Sequence, residues 1–254
     1  MNPSIAVVMP VRDGMPFLPE AIASIQIQNY APLELIVVDD GSTDGSKDFV
    51  SRFQGFPIRL IELKGVGPAA ARNAGIRASN SDLVAFLDAD DLWLHGALPR
   101  LVQGLAEHPE AGFAQGLIRN FSESKQGAWQ YVTAPYRFLN LGANLWRRRI
   151  FDTVGVLDQT LTLCEDLDFL MRCWEHDIQK AEIDSIVLHY RRHPAGMTHG
   201  LSGAGFGTIQ AYKKRIERIR CGQLNPDLTR HMGLNRYLGT PPAHQDGKLH
   251  AQLH

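Results

Sequence analysis

The stretch Leu83-Val84-Ala85-Phe86-Leu87-Asp88-Ala89-Asp90-Asp91 decides the fold. Five apolar residues in succession suit a parallel strand buried on both faces, and the acidic cluster marks where that strand must surface. Two similar runs precede it, Ile5 to Pro10 and Leu33 to Val38, the second closing on Asp39-Asp40. Helical patterns fill the gaps. Leu18, Ala21, Ile22 and Ile25 recur at helical spacing, and an Ala-rich stretch from Pro68 to Ser79 opens with a proline suited to a first helical turn. With a further strand over Ile58 to Leu63, strand and helix alternate up to Leu87, which predicts an α/β fold with a doubly wound, mostly parallel sheet. Ligands of such sheets bind at the carboxyl ends of the strands.

Beyond Asp91 the pattern predicts a helix over Leu94 to His108, a strand near Gly112 to Ile118, and a polar excursion from Asn120 to Gly127. A helix opening near Glu165 and running to Glu175, then a strand from Lys180 to Tyr190, close the expected core. Gly200 to Gly207 reads as a connector to a C-terminal helix, where Ile209, Tyr212, Ile216 and Ile219 mark one face and Lys213, Lys214, Arg215, Arg218 and Arg220 supply charge. The remaining tail has little periodicity and is expected to be loosely ordered. The division expected is a domain over 1–199, with a nucleotide-binding half at 1–92 and an acceptor-side half at 93–199, followed by an extension over 200–254.

A chain of 254 residues that is 44% hydrophobic and 21% charged is not a disordered one. Its net charge of -1 excludes the global basic footprint of a dedicated nucleic-acid binder. Cys164, Cys173 and Cys221 form no CxxC pair, which fits a reducing compartment. No apolar run approaches the ~18 residues of a membrane span, and the first residues lack a signal-peptide pattern. A cytoplasmic enzyme is therefore expected.

Four constellations fall at strand ends: Pro10-Val11-Arg12-Asp13, Asp39 to Gly45, Gly65-Val66-Gly67-Pro68, and Asp88-Ala89-Asp90-Asp91. The carboxylates that close the Leu33 strand sit where a nucleoside can be held through base or ribose, although Asp, Gly and Ser also serve as ordinary turn and cap formers. In extended chain Asp88 and Asp90 share a face and can converge on Mg²⁺ or Mn²⁺ bridging to a diphosphate. Asp91 reads as a helix-start acid. The glycine loop matches a dinucleotide fingerprint, but it follows the third strand rather than the first, so a flexible loop that lets the Arg72 helix approach a ligand is the preferred reading.

Taken in order, these pieces with Ala71-Arg72-Asn73 to Gly75, Phe86 to Trp93 and Glu165-Asp166-Leu167-Asp168 resemble family 2 of the inverting glycosyltransferases, which have the GT-A fold. Arg148-Arg149 to Gly155 and Tyr190-Arg191-Arg192-His193 extend the resemblance, which covers Ser4 to Thr198. It implies transfer of a sugar from a nucleotide-diphosphate sugar, with UDP as the donor nucleotide, to a hydroxyl on a saccharide or lipid-linked acceptor, in cell-surface polysaccharide or glycolipid synthesis.

By the same resemblance, Pro10, Val11, Arg12, Asp39, Arg72, Asp88 and Ala89 line the nucleotide pocket. Asp90 is the direct metal ligand, Asp88 meets ribose or metal-bound water, and His193 joins the metal or diphosphate. Asp166 is the general base. Arg12 departs from the aromatic often found at its position, although a guanidinium also stacks on a base. Trp93 and Glu165 are candidate acceptor or sugar contacts, Trp93 because a flat ring complements a sugar face, while Trp146 reads as a core aromatic. Arg147, Arg148 and Arg149 offer a phosphate site or a solvated cluster, and Asp168 a helix-start acid. The basic C-terminal helix either rests on an anionic membrane surface at the inner face of the membrane or packs back through Ile209 and Ile216. Two other classes share parts of the pattern. A binding domain of this fold would lack the acids Asp90 and Asp166, and a nucleotidyltransferase would carry a Gly- and Arg/Lys-rich loop after the first strand, which Pro10 to Gly14 is not.

Overall fold

β1 (Ile5–Val11), β2 (Leu33–Asp39) and β4 (Leu83–Phe86) form the centre of the sheet because their residues are apolar toward both faces, and nearly all are buried. β3 (Ile58–Glu62) alternates Arg59 and Glu62 with apolar residues and accordingly takes the edge beside β2. These four strands pair in parallel, and the computed structural model describes the chain over residues 2–124, 126–197, 205–224 and 231–242.

Helices cover both faces. α1 (Leu18–Gln26), α2 (Ser46–Arg52) and α4 (Ala97–Glu107) bury apolar residues against one side, while α3 (Pro68–Ala78), α5 (Arg149–Thr153) and α6 (Glu165–Glu175) cover the other. α3 lies close on β1 because Gly75 has no side chain; a Cβ there would sit 2.3 Å from Val8 Cγ1. That close approach brings the first turns of α3, with Arg72, to the carboxyl end of β4.

The second half of the sheet departs from the expected alternation. β8 (Asn144–Arg147) inserts antiparallel between β4 and β6 (Phe113–Glu123), and β9 (Lys180–Arg192) runs parallel to β6. The short β5 (Leu92–Trp93) pairs on the outer side of β9, giving the order β3-β2-β1-β4-β8-β6-β9-β5. The polar segment from Asn120, expected to be an excursion, instead continues β6 and folds back as β7 (Trp129–Tyr131). Arg147 and Arg148 do not form a solvated or phosphate-binding cluster. Arg147 donates to the carbonyls of Ala111 and Leu105, and Arg148 to that of Ile76, so both staple β8 into the sheet.

α7 (Gly205–Arg220) packs on α6, but not through the apolar stripe. Ile209, Tyr212 and Ile216 are exposed, and the inward face is Ala211 with three of the five cations. Arg218 grips Glu175 at 2.7 and 2.9 Å and Asp168 at 2.9 Å, Arg215 lies 3.5 Å from Glu175, and Lys214 pairs with Asp158 at 2.6 Å. The tail is also more ordered than expected. α8 (Leu234–Leu238) returns Tyr237 to the core, with its hydroxyl on the Ile178 carbonyl and its ring edge-on to Phe113, while Trp174 donates to Met232 O. Residues 225–230 and 243–254 lie outside the described residues, as does most of the 200–207 connector.

Because Tyr237 is a fully buried side chain contributed from beyond α7, Tyr237→Ala should lower unfolding free energy by about 3–5 kcal/mol in urea melts. A loss under about 1 kcal/mol would show that the tail contributes nothing to the core.

Candidate active site

Four strand-end loops meet at one edge of the sheet. The first two are clasped together: Asp13 Oδ1 accepts from Thr43 N at 2.7 Å, Ser42 Oγ accepts from Asp13 N at 2.9 Å, and Asp44 accepts from Met15 N at 2.7 Å. The clasp fixes the floor on which Pro10, Val11 and Arg12 precede the loop. Val11 is core, Pro10 is half-buried, and Arg12 is exposed with its guanidinium beside Gly65.

Asp39 is buried, and its Oδ2 is held by the amides of Gly41 and Ser42 at 3.2 Å. Its Oδ1 is buried with no partner among the described residues. A buried carboxylate oxygen without a donor is costly to the fold. Asp40 turns the other way and accepts from Val66 N and Gly67 N at 2.7 and 2.8 Å. The glycine loop is thereby pinned with two of its amides occupied, which removes it as a diphosphate cradle of the dinucleotide type.

The acidic cluster after β4 differs from its expected geometry. The strand ends at Phe86, and Asp91 N donates back to Asp88 O at 3.1 Å, so Asp88 to Asp91 form a tight turn rather than extended chain. The three carboxylates consequently take separate partners. Asp88 pairs with Arg72 at 2.6 Å, and Asp90 Oδ2 lies 2.9 Å from His193 Nε2. Asp91, expected to be a helix-start acid, is buried and accepts from Arg191 N at 2.8 Å, tying β9 to the turn. Ala89 is the buried residue between them. Burial and the charge of Asp88 push the Asp90 carboxyl above the ordinary range, against the opposing pull of His193.

Arg72 is not free to line a nucleotide pocket. It is buried, with Nη1 2.7 Å from Glu165 and Nη2 2.6 Å from Asp88, so it joins the β4 turn to the start of α6. Glu165 is correspondingly corrected from a substrate contact to an ion-pair partner, since its carboxylate is buried against that guanidinium. Asp166 follows it and remains partly open; its Oδ1 accepts from Leu167 N at 2.7 Å. Burial, then the adjacent Glu165 charge, raise the Asp166 carboxyl to about 6. The residue before the helix, Cys164, is held at φ +62°, a left-handed turn costly for a non-glycine residue that leads directly into the two acids. Asp168 is no helix-start acid at the surface but a buried anchor for Arg172 and Arg218.

Trp93, expected at a sugar face, is 2% exposed and donates its indole N–H to Gly142 O at 2.7 Å. It is a core residue whose ring carries β5 against α1. Trp146 is also core, stacked on Phe113. Residues absent from the expected set include Phe17, whose ring lies 4.6 Å from that of His193, and Arg191, whose Nε donates to Asp90 O. Sequence offers one signal for them, the Tyr190 to His193 segment itself.

Among the described residues no group of three His, Cys, Asp or Glu side chains converges as a metal cluster. The Asp90–His193 pair nevertheless suits a six-coordinate ion. The 2.9 Å contact is a hydrogen bond; as ligands the two side chains would fill two positions of such an ion, which keeps waters and substrate phosphates in the others. A carboxylate with an imidazole also fits Mn²⁺ by donor type. Asp88, occupied by Arg72, is not part of that pair.

Against known proteins, the model described as Glycosyl transferase family 2 matches residues 6–162. A glycosyltransferase, GlyA, from Streptococcus pneumoniae is 28% identical over 68% of this chain and 24% of its own length. Among solved structures, TarS from S. aureus in complex with UDP-GlcNAc superposes with a TM-score of 0.69 at 18% identity, covering 89% of this chain and 68% of that one. The mannosyltransferase PcManGT from Pyrobaculum calidifontis, in complex with GDP-Man and Mn²⁺, gives 0.67 at 19% identity over 85% and 65%. The likeness of fold places the chain in the GT-A class of α/β structures. The chain spans between 15% and 64% of the length of the curated relatives it matches.

The raised Asp166 carboxyl has a consequence for stability. The folded chain holds that proton more tightly than the unfolded chain, so its contribution is fully present below about pH 4 and is lost as pH rises through about 6. Asp166→Asn cannot ionise and should be more stable than the parent at about pH 8 by about 1–3 kcal/mol, with the difference closing at about pH 4. Urea melts at both pH values read this directly, and equal stability at the higher pH would mean the carboxylate is not strained.

Proposed function

The chain belongs to glycosyl transferase family 2, and from that premise we propose that it moves a sugar from a UDP sugar to a hydroxyl of a saccharide or lipid-linked acceptor, with inversion at the anomeric carbon. The observation that carries this reading is the Arg72 bridge, which sets the turn bearing Asp88 and Asp90 against the helix start bearing Asp166. A donor side and a base side are thereby the two walls of one cleft. The extent proposed for the transferase site is 1–199, with α7 and α8 as its buttress.

The base of the donor would lie beside Asp39, whose carboxylate would accept the ring imino N–H that uracil presents. The UDP-GlcNAc complex of TarS supports this choice of nucleotide, and Arg12 would stack over the base. Asp90 and His193 would hold Mn²⁺ or Mg²⁺, a reading supported by the Mn²⁺ of PcManGT. When bound there, the ion supplies positive charge to the diphosphate as it leaves. Asp88, fixed by Arg72, faces the ribose side of the turn.

Asp166 is the base. Its elevated carboxyl is ionised at neutral pH yet more basic than an ordinary aspartate, which is the compromise that general-base catalysis favours. It takes the acceptor hydroxyl proton as that oxygen forms its bond to the anomeric carbon. The sugar–phosphate bond breaks with its electron pair going to the nucleoside diphosphate, and attack opposite to the leaving group inverts the centre. Such a reaction serves cell-surface polysaccharide or glycolipid synthesis on the cytoplasmic side of the membrane.

The test begins with thermal shift. UDP with Mn²⁺ should raise the melting temperature, and EDTA or Asp90→Ala should remove the effect. Equal UDP affinity with and without metal would overturn the role of Asp90. Asp166→Asn should keep metal-dependent UDP binding while losing transfer by a factor on the order of 10² to 10⁴. Transfer within a few-fold of the parent would reject Asp166 as the base.

A further inference from the structure

Beside the cleft, on the α1 face of the sheet, lies an open groove of about 650 Å³ lined by residues of α1, β5, β6, β7 and β9. Its outer wall is β7, where Trp129 and Tyr131 stand two residues apart and therefore on one face. They are 47% and 49% exposed, on a three-residue edge strand that gains nothing from carrying large rings unless something covers them.

Both rings are held in place from one side. The Arg119 guanidinium sits 3.8 Å from the Tyr131 centroid, and that of Arg191 sits 4.6 Å from the Trp129 ring. Each ring has a cation against it, the Phe121 ring lies 5.2 Å from that of Trp129, and about half of each of the two residues stays exposed. His189 adds an imidazole, packed edge-on at 5.0 Å from Tyr131. Burial and the nearby Arg119 hold it below its ordinary range, so at neutral pH it offers one donor and one acceptor.

We propose that this groove is a saccharide-binding platform, in which Trp129 and Tyr131 stack on the apolar faces of sugar rings and seat the acceptor chain beside the transfer cleft. The inference rests on the transferase reading, because it names the class of acceptor that reading requires. Flat rings with N–H, O–H and imidazole groups at their edges match a ligand whose rings have C–H faces and hydroxyl rims. An acyl chain would match the aliphatic wall of Ala23, Ile27, Leu92 and Leu94 but would make no use of the polar ring edges opposite. The groove and the cleft share one buried side chain, Arg191. Arg191, which underlies Trp129, donates to the Asp90 carbonyl, and the Phe17 ring lies against both Arg191 and His193.

The test uses the full chain and neutral tetrasaccharides built from glucose, galactose, mannose and N-acetylglucosamine, read by saturation-transfer NMR and intrinsic fluorescence. At least one should bind the parent, and Trp129→Ala or Tyr131→Ala should weaken it about tenfold or more. Trp129→Phe, which keeps a ring, should retain most of the affinity and guards against a folding artefact. UDP binding with Mn²⁺ should be unchanged in all three variants, so loss of saccharide binding is separable from failure of the donor site. Absence of binding across the panel, binding that ignores both aromatics, or binding of decanoate in place of every tetrasaccharide would overturn the proposal.

Discussion

The site is organised by one buried guanidinium. Arg72 projects from the first turns of α3 and closes two salt bridges, to Asp88 after β4 and to Glu165 at the head of α6. The carboxylates come from parts of the chain 16 and 93 residues away, so no local preference holds them together. Removing one member of such a buried set leaves uncompensated charge, typically at a cost of about 3–5 kcal/mol. The two acids push the Arg72 guanidinium even further from losing its proton, against its burial. Its position follows in turn from Gly75, which lets α3 lie directly on β1. A packing constraint three residues along the helix thus sets the spacing of the two cleft walls.

The same crowding prepares the chemistry. Asp88, Asp90, Asp91, Glu165 and Asp166 meet within one strand-end region, balanced by Arg72, Arg191 and the imidazole of His193. Charges this close cannot all be satisfied by protein partners. Asp166 is left with a single backbone donor and an elevated carboxyl, and Asp39 with an oxygen that has none among the described residues. Both are unfavourable for the fold itself, and the proposed donor and acceptor would relieve them. Active sites commonly hold such local costs, supported by a rigid surround.

The parallel strands were legible because burial on both faces leaves a plain apolar run, and with them the loops that carry the acids. What the residues could not reveal was direction. Spacing pairs Asp88 with Asp90 only in extended backbone, and the turn closed by Asp91 N sends the two carboxylates to Arg72 and His193 instead. Arg72 was identified as a site residue, but its partners lie too far along the chain for spacing to indicate them. Trp93 and Trp129 were exchanged for a similar reason. The first sits near the acidic motif yet is buried by β5 pairing with β9, whereas the second follows a Gly- and Ser-containing stretch that hid the β6–β7 hairpin.

The C-terminal segment shows why charge counted along a helix misleads. Five cations on α7 suggested a membrane-facing surface, but Lys214, Arg215 and Arg218 turn inward onto Asp158, Glu175 and Asp168. Only Lys213 and Arg220 of that set stay exposed beside Ile209, Tyr212 and Ile216, next to the opposing charge of Glu217. Electrostatic attraction to anionic lipid scales with free charge near the surface, so most of the expected attraction is already used within the fold. What it achieves there is placement of α6. Asp168 and Glu175 belong to the helix whose first turn bears Asp166, and the family match ends at residue 162, before that turn begins. The orientation of the proposed base is therefore supported by residues well beyond the matched region, through a guanidinium delivered from the other side of the helix.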